Sequence, residues 1–207
     1  MPYAPSSDAA RAGRAGAPPE ELKIIVAGGF GVGKTTMIAT VSEIEPLTTE
    51  ERLTIASSGI DNLEGLAHKA TTTVAMDFGR ITFDDPFSLI LFLFGTPGQE
   101  RFWFLWDDLG HGALGVVVLV DTRRLEDSFA AVGWCEQRHL PFVVAVNEFD
   151  NAFRYTPDEV RQALGLAPCI PVVTCDVRQS ASAMNVLITL VGHSLELSRT
   201  PNPGALT

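Results

Sequence analysis

Gly28-Gly29-Phe30-Gly31-Val32-Gly33-Lys34-Thr35 is the stretch on which the reading of this chain turns. It follows the apolar run Leu22 to Ala27 and leads into Thr36-Met37-Ile38-Ala39-Thr40-Val41, which reads as a helix. A strand, a glycine-rich loop spaced as Gly, four residues, Gly-Lys-Thr, and a helix make a phosphate-binding pattern. The glycines let successive backbone N–H groups turn inward around an anion, and the helix N-terminus adds partial positive charge. Lys34 is expected to reach terminal phosphates and the Thr35 hydroxyl to hold Mg²⁺. The loop contacts are therefore assigned to Gly28, Gly31, Val32, Gly33, Lys34, Thr35 and Thr36.

Outward from this loop, strand and helix patterns alternate. Candidate buried strands are Leu22–Ala27, Leu89–Phe94, Gly115–Val120, Phe142–Val146 and Ile170–Thr174, with Thr73–Phe83 as an additional edge strand turning at Asp84-Asp85-Pro86. The pattern predicts an α/β three-layer fold: a mostly parallel sheet of about six strands with one antiparallel edge strand, and about five helices. Thr156-x-x-Glu159, with Pro157 at the first helical position, reads as a capping box. In the last helix, capped by Ser180, an apolar stripe of Met184, Leu187, Ile188, Val191 and Leu195 is expected to face the core.

The ends and one interior segment differ in character. Residues 1–20 are rich in Ala, Gly, Pro, Ser and Arg and read as a disordered arm; 198–207 read as a flexible tail. A single domain is expected over 21–197. Inside it, 42–72 is too long for a plain connection, and two readings stand: a solvated excursion with a short helix, or a functional, mobile segment.

Composition narrows the function classes. The chain has 207 residues, a net charge of −10 and three cysteines, Cys135, Cys169 and Cys175, without paired spacing. An acidic chain with no basic run argues against nucleic acid and against electrostatic docking on anionic lipid. The apolar runs are strand-sized, the N-terminus has no signal-peptide core, and the odd thiols read as reduced. A cytoplasmic protein without a membrane span is expected, with any membrane recruitment made through a partner.

Three further constellations follow the predicted strands. Gly95-Thr96-Pro97-Gly98-Gln99-Glu100-Arg101 comes directly after Leu89–Phe94; the Gly98 N–H can bond a γ-phosphate and Gln99 can orient an attacking water. Asn147-Glu148-Phe149-Asp150 ends another strand. An amide at Asn147 can tie the phosphate loop to a base site, and a carboxylate at Asp150 can accept both the N1–H and the N2 amino hydrogens of guanine. Cys175-Asp176-Val177 ends the next, where a backbone N–H can meet the guanine O6. Arg80 and Arg101 are candidate arginine fingers, worth about 10³–10⁵ in rate where such a group acts. Arg101-Phe102-Trp103-Phe104-Leu105-Trp106 reads as a partner surface or as a self-anchoring helix, and Asp121-Thr122-Arg123-Arg124 as a helix cap with a solvated basic pair.

Taken together, these elements resemble a Ras-like small GTPase over roughly Leu22 to Leu195. Thr73 lies 22 residues before Gly95, the spacing that family keeps between its switch-one threonine and its third motif. The runs Thr-Thr-Val-Ala-Met-Asp-Phe-Gly-Arg, Phe-Gly-Thr-Pro-Gly-Gln-Glu-Arg-Phe-Trp-Phe and Val-Asp-Thr-Arg-Arg resemble the bacterial branch encoded in actinobacterial conservons. The resemblance implies GTP or GDP with Mg²⁺ as ligands, Thr73 joining Thr35 at the metal, Gln99 and Lys34 as catalytic groups, and base reading by Asn147 and Asp150. It also implies a roadblock-type regulator and a sensor-kinase-like protein as partners.

Three positions depart from the family pattern. Gly95 stands where an Asp normally holds a Mg²⁺-bound water, which lowers the expected metal affinity; Asp77 and Thr96 are the neighbouring oxygen donors, each read first as an ordinary strand or turn residue. Phe30 stands near the γ-phosphate position, where it either crowds Gln99 or folds away. Glu148 replaces a Lys whose stem packs on the base. A slowly hydrolysing guanine-nucleotide switch is the first expectation. A non-hydrolysing nucleotide-bound scaffold, and an ATP/GTP-binding protein with relaxed base specificity, remain beside it.

Overall fold

The computed structural model describes residues 18–45, 47–54, 71–84, 88–98 and 104–199, with the backbone alone of 47–54 and 71–75. In chain order the elements are β1 (Glu20–Ala27), α1 (Lys34–Val41), β2 (Leu47–Thr54), β3 (Thr71–Phe83), β4 (Leu89–Gly95), α2 (Phe104–Gly110), β5 (Gly115–Val120), a 3₁₀ segment (Thr122–Ser128), α3 (Phe129–Gln137), β6 (Phe142–Asn147), α4 (Pro157–Ala163), β7 (Val172–Cys175) and α5 (Ser180–Arg199). One sheet runs in the order β2-β3-β4-β1-β5-β6-β7. The pairs β4–β1, β1–β5, β5–β6 and β6–β7 are parallel, and β3 is antiparallel to β4.

All six expected strands are present. Leu47–Thr54 adds a seventh, antiparallel to β3 and outside it, so β3 is covered rather than an edge. Within 42–72, where a short helix is one of the two readings, residues 47–54 and 71–72 are strand, a conformation that suits the β-branched Thr48, Thr49 and Thr54, and residues 55–70 lie outside the described residues. Of the expected arm, residues 1–17 lie outside the described residues, and Glu20 already pairs with Leu89. Residues 200–207 of the expected tail lie outside as well, α5 continuing to Arg199.

The buried parallel strands explain why their sequences are unbroken apolar runs. Ile24 and Val26 face one layer with Met37, Ile38, Leu187 and Leu190 of α1 and α5. Ile25 and Ala27 face the other, with Trp106, Ala131, Val132, Cys135 and Val160 from the remaining helices. Because each strand feeds both layers, alternation disappears from the sequence. Helix α5 buries Ala183, Val186, Leu187, Leu190, His193 and Ser194, leaving Ile188 and Leu195 exposed. The expected stripe is therefore rotated. Small residues face the sheet because α5 crosses closely over β5: a Cβ on Gly115 would lie 2.8 Å from Leu190 Cδ1 and 3.1 Å from Ser194 Oγ.

β1 has neighbours reached by crossovers in opposite directions, toward β4 on one side and β5 on the other. The crevice at its carboxyl end is the place where open α/β sheets bind ligands, because the flanking connections diverge there. Among the described residues no helix is long and apolar enough to cross a membrane.

His193 supplies a stability prediction. It is buried, its Nε2 has no hydrogen-bond partner among the described residues, and burial lowers its pKa below the ordinary 6.5 against an opposing effect of Glu196. The unfolded chain then binds the proton more tightly, so stability present above pH 6.5 is lost as pH falls through the lowered native value. Thermal melts between pH 8 and pH 5 should show a smaller acid-side loss for His193→Gln than for the wild type; parallel curves would remove His193 from the acid response.

Candidate functional site

The chain leaves β1 at Ala27 and turns through two glycine conformations that other residues avoid. Gly28 has φ 138°, and a Cβ there would lie 2.4 Å from the Leu119 carbonyl oxygen. Gly33 has φ 108° at the N-cap of α1, and a Cβ there would lie 2.8 Å from Asn147 Nδ2. Helix α1 has no side-chain cap and no acidic residue in its first turn. Its first N–H groups are left to an anion. Phe30, Gly31, Gly33, Lys34, Thr35, Thr36, Asp77, Thr96 and Gly98 line a cavity of about 400 Å³ at this point.

Lys34 is buried, and its ammonium donates to the carbonyls of Gly28 at 2.9 Å and Gly29 at 2.7 Å. Burial pushes its pKa down to about 8, with the charge of Asp77 acting the other way. A desolvated cation resting on two carbonyls gains from an arriving anion. Reaching a terminal phosphate, as expected of Lys34, requires it to release those carbonyls. Gly98 is packed against it: a Cβ there would lie 2.8 Å from Lys34 Nζ and 3.0 Å from Phe30 Cα.

Asp77 is the carboxylate of this end. The Thr35 hydroxyl donates to Asp77 Oδ2 at 2.6 Å. In the β3–β4 ladder Asp77 stands directly opposite Gly95, and a Cβ on Gly95 would lie 3.2 Å from both Asp77 Cβ and Oδ2. Of the two neighbouring oxygen donors read beside Gly95, Asp77 thus has its carboxylate in the space that a Gly95 side chain would take. Thr96 is 2 % exposed, and its Oγ1 has no partner among the described residues. Its backbone N–H donates to the Val26 carbonyl, fixing the residue beside β1. An unsatisfied buried hydroxyl of this kind calls for a ligand or water.

At the other end Asn147 makes the predicted tie. It is 5 % exposed; its Nδ2 donates to the Val32 carbonyl at 3.0 Å and its Oδ1 accepts from the Val177 N–H at 3.3 Å. Both oxygens of Asp150 are engaged within the chain. Arg178 Nη1 and Nη2 donate to its two oxygens at 2.8 and 3.1 Å, and Nε and Nη2 donate to Asp176 at 2.8 and 2.9 Å. These hydrogen bonds hold the Asp150 and Asp176 carboxyls below their usual range. The backbone N–H groups expected to meet a base after Cys175 are also taken: Asp176 donates to Ser182 Oγ, Val177 to Asn147, and Arg178 to Asp176 Oδ1. Local side-chain acceptors outcompete solvent for them in this conformation.

The neighbouring residues sort as follows. Glu148 forms an ion pair with Arg154. Asp121 caps the 3₁₀ segment as predicted, accepting from the Arg123 N–H, while the Arg123 guanidinium, expected to be solvated, pairs with Asp121 and stacks on Phe149 with its carbon 3.9 Å from the ring centroid. Arg124 departs from the solvated role expected of it: a non-helical turn at φ −145°, ψ 59° carries it to the loop, where Nη2 donates to the Phe30 carbonyl at 2.9 Å. Phe30 is 66 % exposed, which excludes its folding away into the protein. Arg80 is engaged by Glu43 at 2.8 Å. Of the aromatic run, Trp106 is buried and donates to the Pro97 carbonyl, anchoring α2, while Phe104 is exposed. Gln99, Arg101, Phe102 and Trp103 lie outside the described residues, and Thr73 is described only as backbone, opposite Arg52 in the β2–β3 ladder.

Sequence reasoning named Asp77 and Thr96 beside Gly95 but missed the placement of Arg124 and Arg178, to which nothing in the spacing points.

Over residues 26–197 the chain matches a protein family described as conserved hypothetical ATP-binding proteins. It is 26 % identical over 133 residues, 63 % of this chain and 72 % of the relative, to an uncharacterized protein of Methanocaldococcus jannaschii. It is 25 % identical to the Ras-related protein Rab-7b of Bos taurus, over 87 % of this chain and 85 % of that protein. A match at 24 % identity to translation initiation factor IF-2 of Clostridium tetani takes in 86 % of this chain but 25 % of the factor.

Replacing Asn147 tests the link between the two ends. Asn147→Ala leaves the Val32 carbonyl and the Val177 N–H buried without their partner, a loss of about 1–3 kcal/mol. Urea denaturation of nucleotide-free protein should show that loss. Unchanged stability would mean that Asn147 matters only once a ligand is bound.

Proposed function

On the premise that the chain belongs to the family of conserved hypothetical ATP-binding proteins, and is a P-loop nucleotide-binding protein distantly related to GTPases, we propose that it is a Mg²⁺-dependent guanine-nucleotide switch with slow hydrolysis. The observation that carries this reading is the Asn147 amide, which joins the phosphate loop at Val32 to the loop bearing the base-reading carboxylate. A single ligand spanning both ends, triphosphate in the α1 cradle and purine at Asp150, accounts for that connection.

The donor set at the phosphate end fits Mg²⁺. Thr35 Oγ1, Asp77 Oδ2 and the unsatisfied Thr96 Oγ1 are hard oxygen donors. Among the described residues no group of three His, Cys, Asp or Glu forms a cage, which suits an ion that takes one or two protein ligands and completes its shell with phosphates and water. When bound, Mg²⁺ neutralises charge on the β- and γ-phosphates. Thr35 and Asp77 would hold it, with Thr73 as a further ligand by resemblance. Lys34 would move from the Gly28 and Gly29 carbonyls to the phosphates, and Gln99 would orient water. Phe30, exposed on the rim beside Gly98, restricts access to the reacting phosphate, the physical reason for a low rate.

In this reading residues 42–73 and 95–109 change conformation with the γ-phosphate, and a partner reads the change. By the conservon resemblance that partner is a roadblock-type regulator working with a sensor-kinase-like protein, in the cytoplasm. One observation favours the second reading, a nucleotide-binding protein with relaxed base specificity: Arg178 already holds Asp150.

Calorimetric titration of nucleotide-free protein should give tighter binding of GTP than of ATP, with Asp150→Ala weakening GTP alone. Equal affinities that ignore Asp150 would end the guanine assignment. Asp77→Ala should weaken Mg²⁺ about 10–100-fold, read as the Mg²⁺ concentration that half-restores GTP affinity after chelation. Gln99→Leu should lower single-turnover phosphate release, and an unchanged rate would remove Gln99 from the mechanism.

A further inference from the structure

We propose that Arg178 is a specificity-determining residue that competes with the purine base for Asp150, its guanidinium occupying the two carboxylate oxygens that guanine would use. The inference rests on the guanine reading above and deepens it. Guanine recognition at a carboxylate needs two acceptors for a side-by-side pair of donors, N1–H and the N2 amino group. Arg178 presents such a pair from within the chain, Nη1 and Nη2, at 2.8 and 3.1 Å from Asp150 Oδ2 and Oδ1. A bidentate guanidinium matches a carboxylate closely and excludes a second bidentate donor from the same edge.

The competitor is held ready by a second anchor. Nε and Nη2 also bind Asp176 at 2.8 and 2.9 Å, and the Arg178 backbone N–H donates to Asp176 Oδ1 at 3.0 Å. Arg178 can therefore release Asp150 while remaining on Asp176, so the exchange needs a side-chain adjustment rather than a loop opening. It is also cheap: the Asp150 carboxylate is 75 % exposed and the Arg178 side chain 51 % exposed, and exposed pairs are weak. Guanine can displace the arginine, but its advantage at Asp150 is reduced by what the pair is worth.

The closed arrangement also changes what the base meets. Of the five guanidinium N–H donors, the contacts to Asp150 and Asp176 use four, two of them on Nη2, leaving one on Nη1. With Arg178 in place the base end offers a donor instead of a pair of acceptors. Adenine, which has a ring-nitrogen acceptor and lacks the paired donors, tolerates that arrangement and gains nothing from its removal. Arg178 thus lowers guanine-over-adenine discrimination, and its removal should raise it.

The test is a set of Kd values for GTP, ITP and ATP, by calorimetry, for the wild type, Arg178→Ala, Arg178→Gln, Asp150→Ala and the double variant Arg178→Ala/Asp150→Ala, each first checked for an intact thermal transition. Taking the ratio of GTP to ATP affinity cancels the shared triphosphate. Arg178→Ala and Arg178→Gln should each raise that ratio by up to about fivefold, the upper end of what an exposed ion pair is worth. The gain should be smaller for ITP, which lacks the N2 amino group, and absent in the Asp150→Ala background. In the wild type the ratio should rise with salt, because screening weakens the exposed pair. An unchanged ratio in both arginine variants, with Asp150→Ala still weakening GTP, would overturn the competition and leave the guanine reading standing. A lowered ratio would make Arg178 a positioning residue for Asp150 and overturn it equally. Insensitivity of GTP to Asp150→Ala would remove both readings at once.

Discussion

The buried amide of Asn147 is the contact on which the site depends. It accepts from the Val177 N–H and donates to the Val32 carbonyl, so the loop after β1, the end of β6 and the loop after β7 share one rigid junction. Buried polar groups of this kind are costly to leave unpaired, so the junction contributes to the stability of the fold. Gly33 follows from it: a Cβ would lie 2.8 Å from Asn147 Nδ2. The turn into α1, and with it the direction of the first helical N–H groups, is set by a side chain more than a hundred residues away in sequence.

The carboxylate arrangement shows the same dependence on tertiary contact. Gly95 and Asp77 face each other across the β3–β4 ladder, and only one of the two positions can carry a side chain into that space. Asp77 carries it and meets Thr35 at 2.6 Å. An oxygen donor at a fixed point can come from either of two paired strands, because facing residues in an antiparallel pair lie within a side chain's length. Loss of an acid from one motif is therefore not loss of the acid from the site.

Arginines govern the periphery. Arg124 bonds the Phe30 carbonyl, Arg123 covers Phe149, and Arg178 joins Asp150 to Asp176. Each bridges segments that the strand order brings to the same edge of the sheet. In an acidic chain of net charge −10, these local pairs neutralise carboxylates around a pocket meant for a polyanion. Different arginines brace the phosphate loop and the loops after β6 and β7.

The sequence by itself determined the phosphate loop, the alternating α/β architecture, six of the seven strands, the capping box of α4 and the Asn147 tie. These follow from local rules: glycine spacing, apolar runs and cap chemistry each act over a few residues. It placed the apolar face of α5 one step wrong, because Leu190 and Ser194 pack closely over Gly115 and so the buried face includes a small polar residue rather than only large apolar ones. Asp77 and Thr96 were candidates from the sequence, but their placement, like that of Arg124 and Arg178, was decided only by tertiary structure. Their roles come from strand register, from a kink in the 3₁₀ segment and from the meeting of loops after β6 and β7. Contacts between residues far apart in the chain leave no periodic trace in a single sequence.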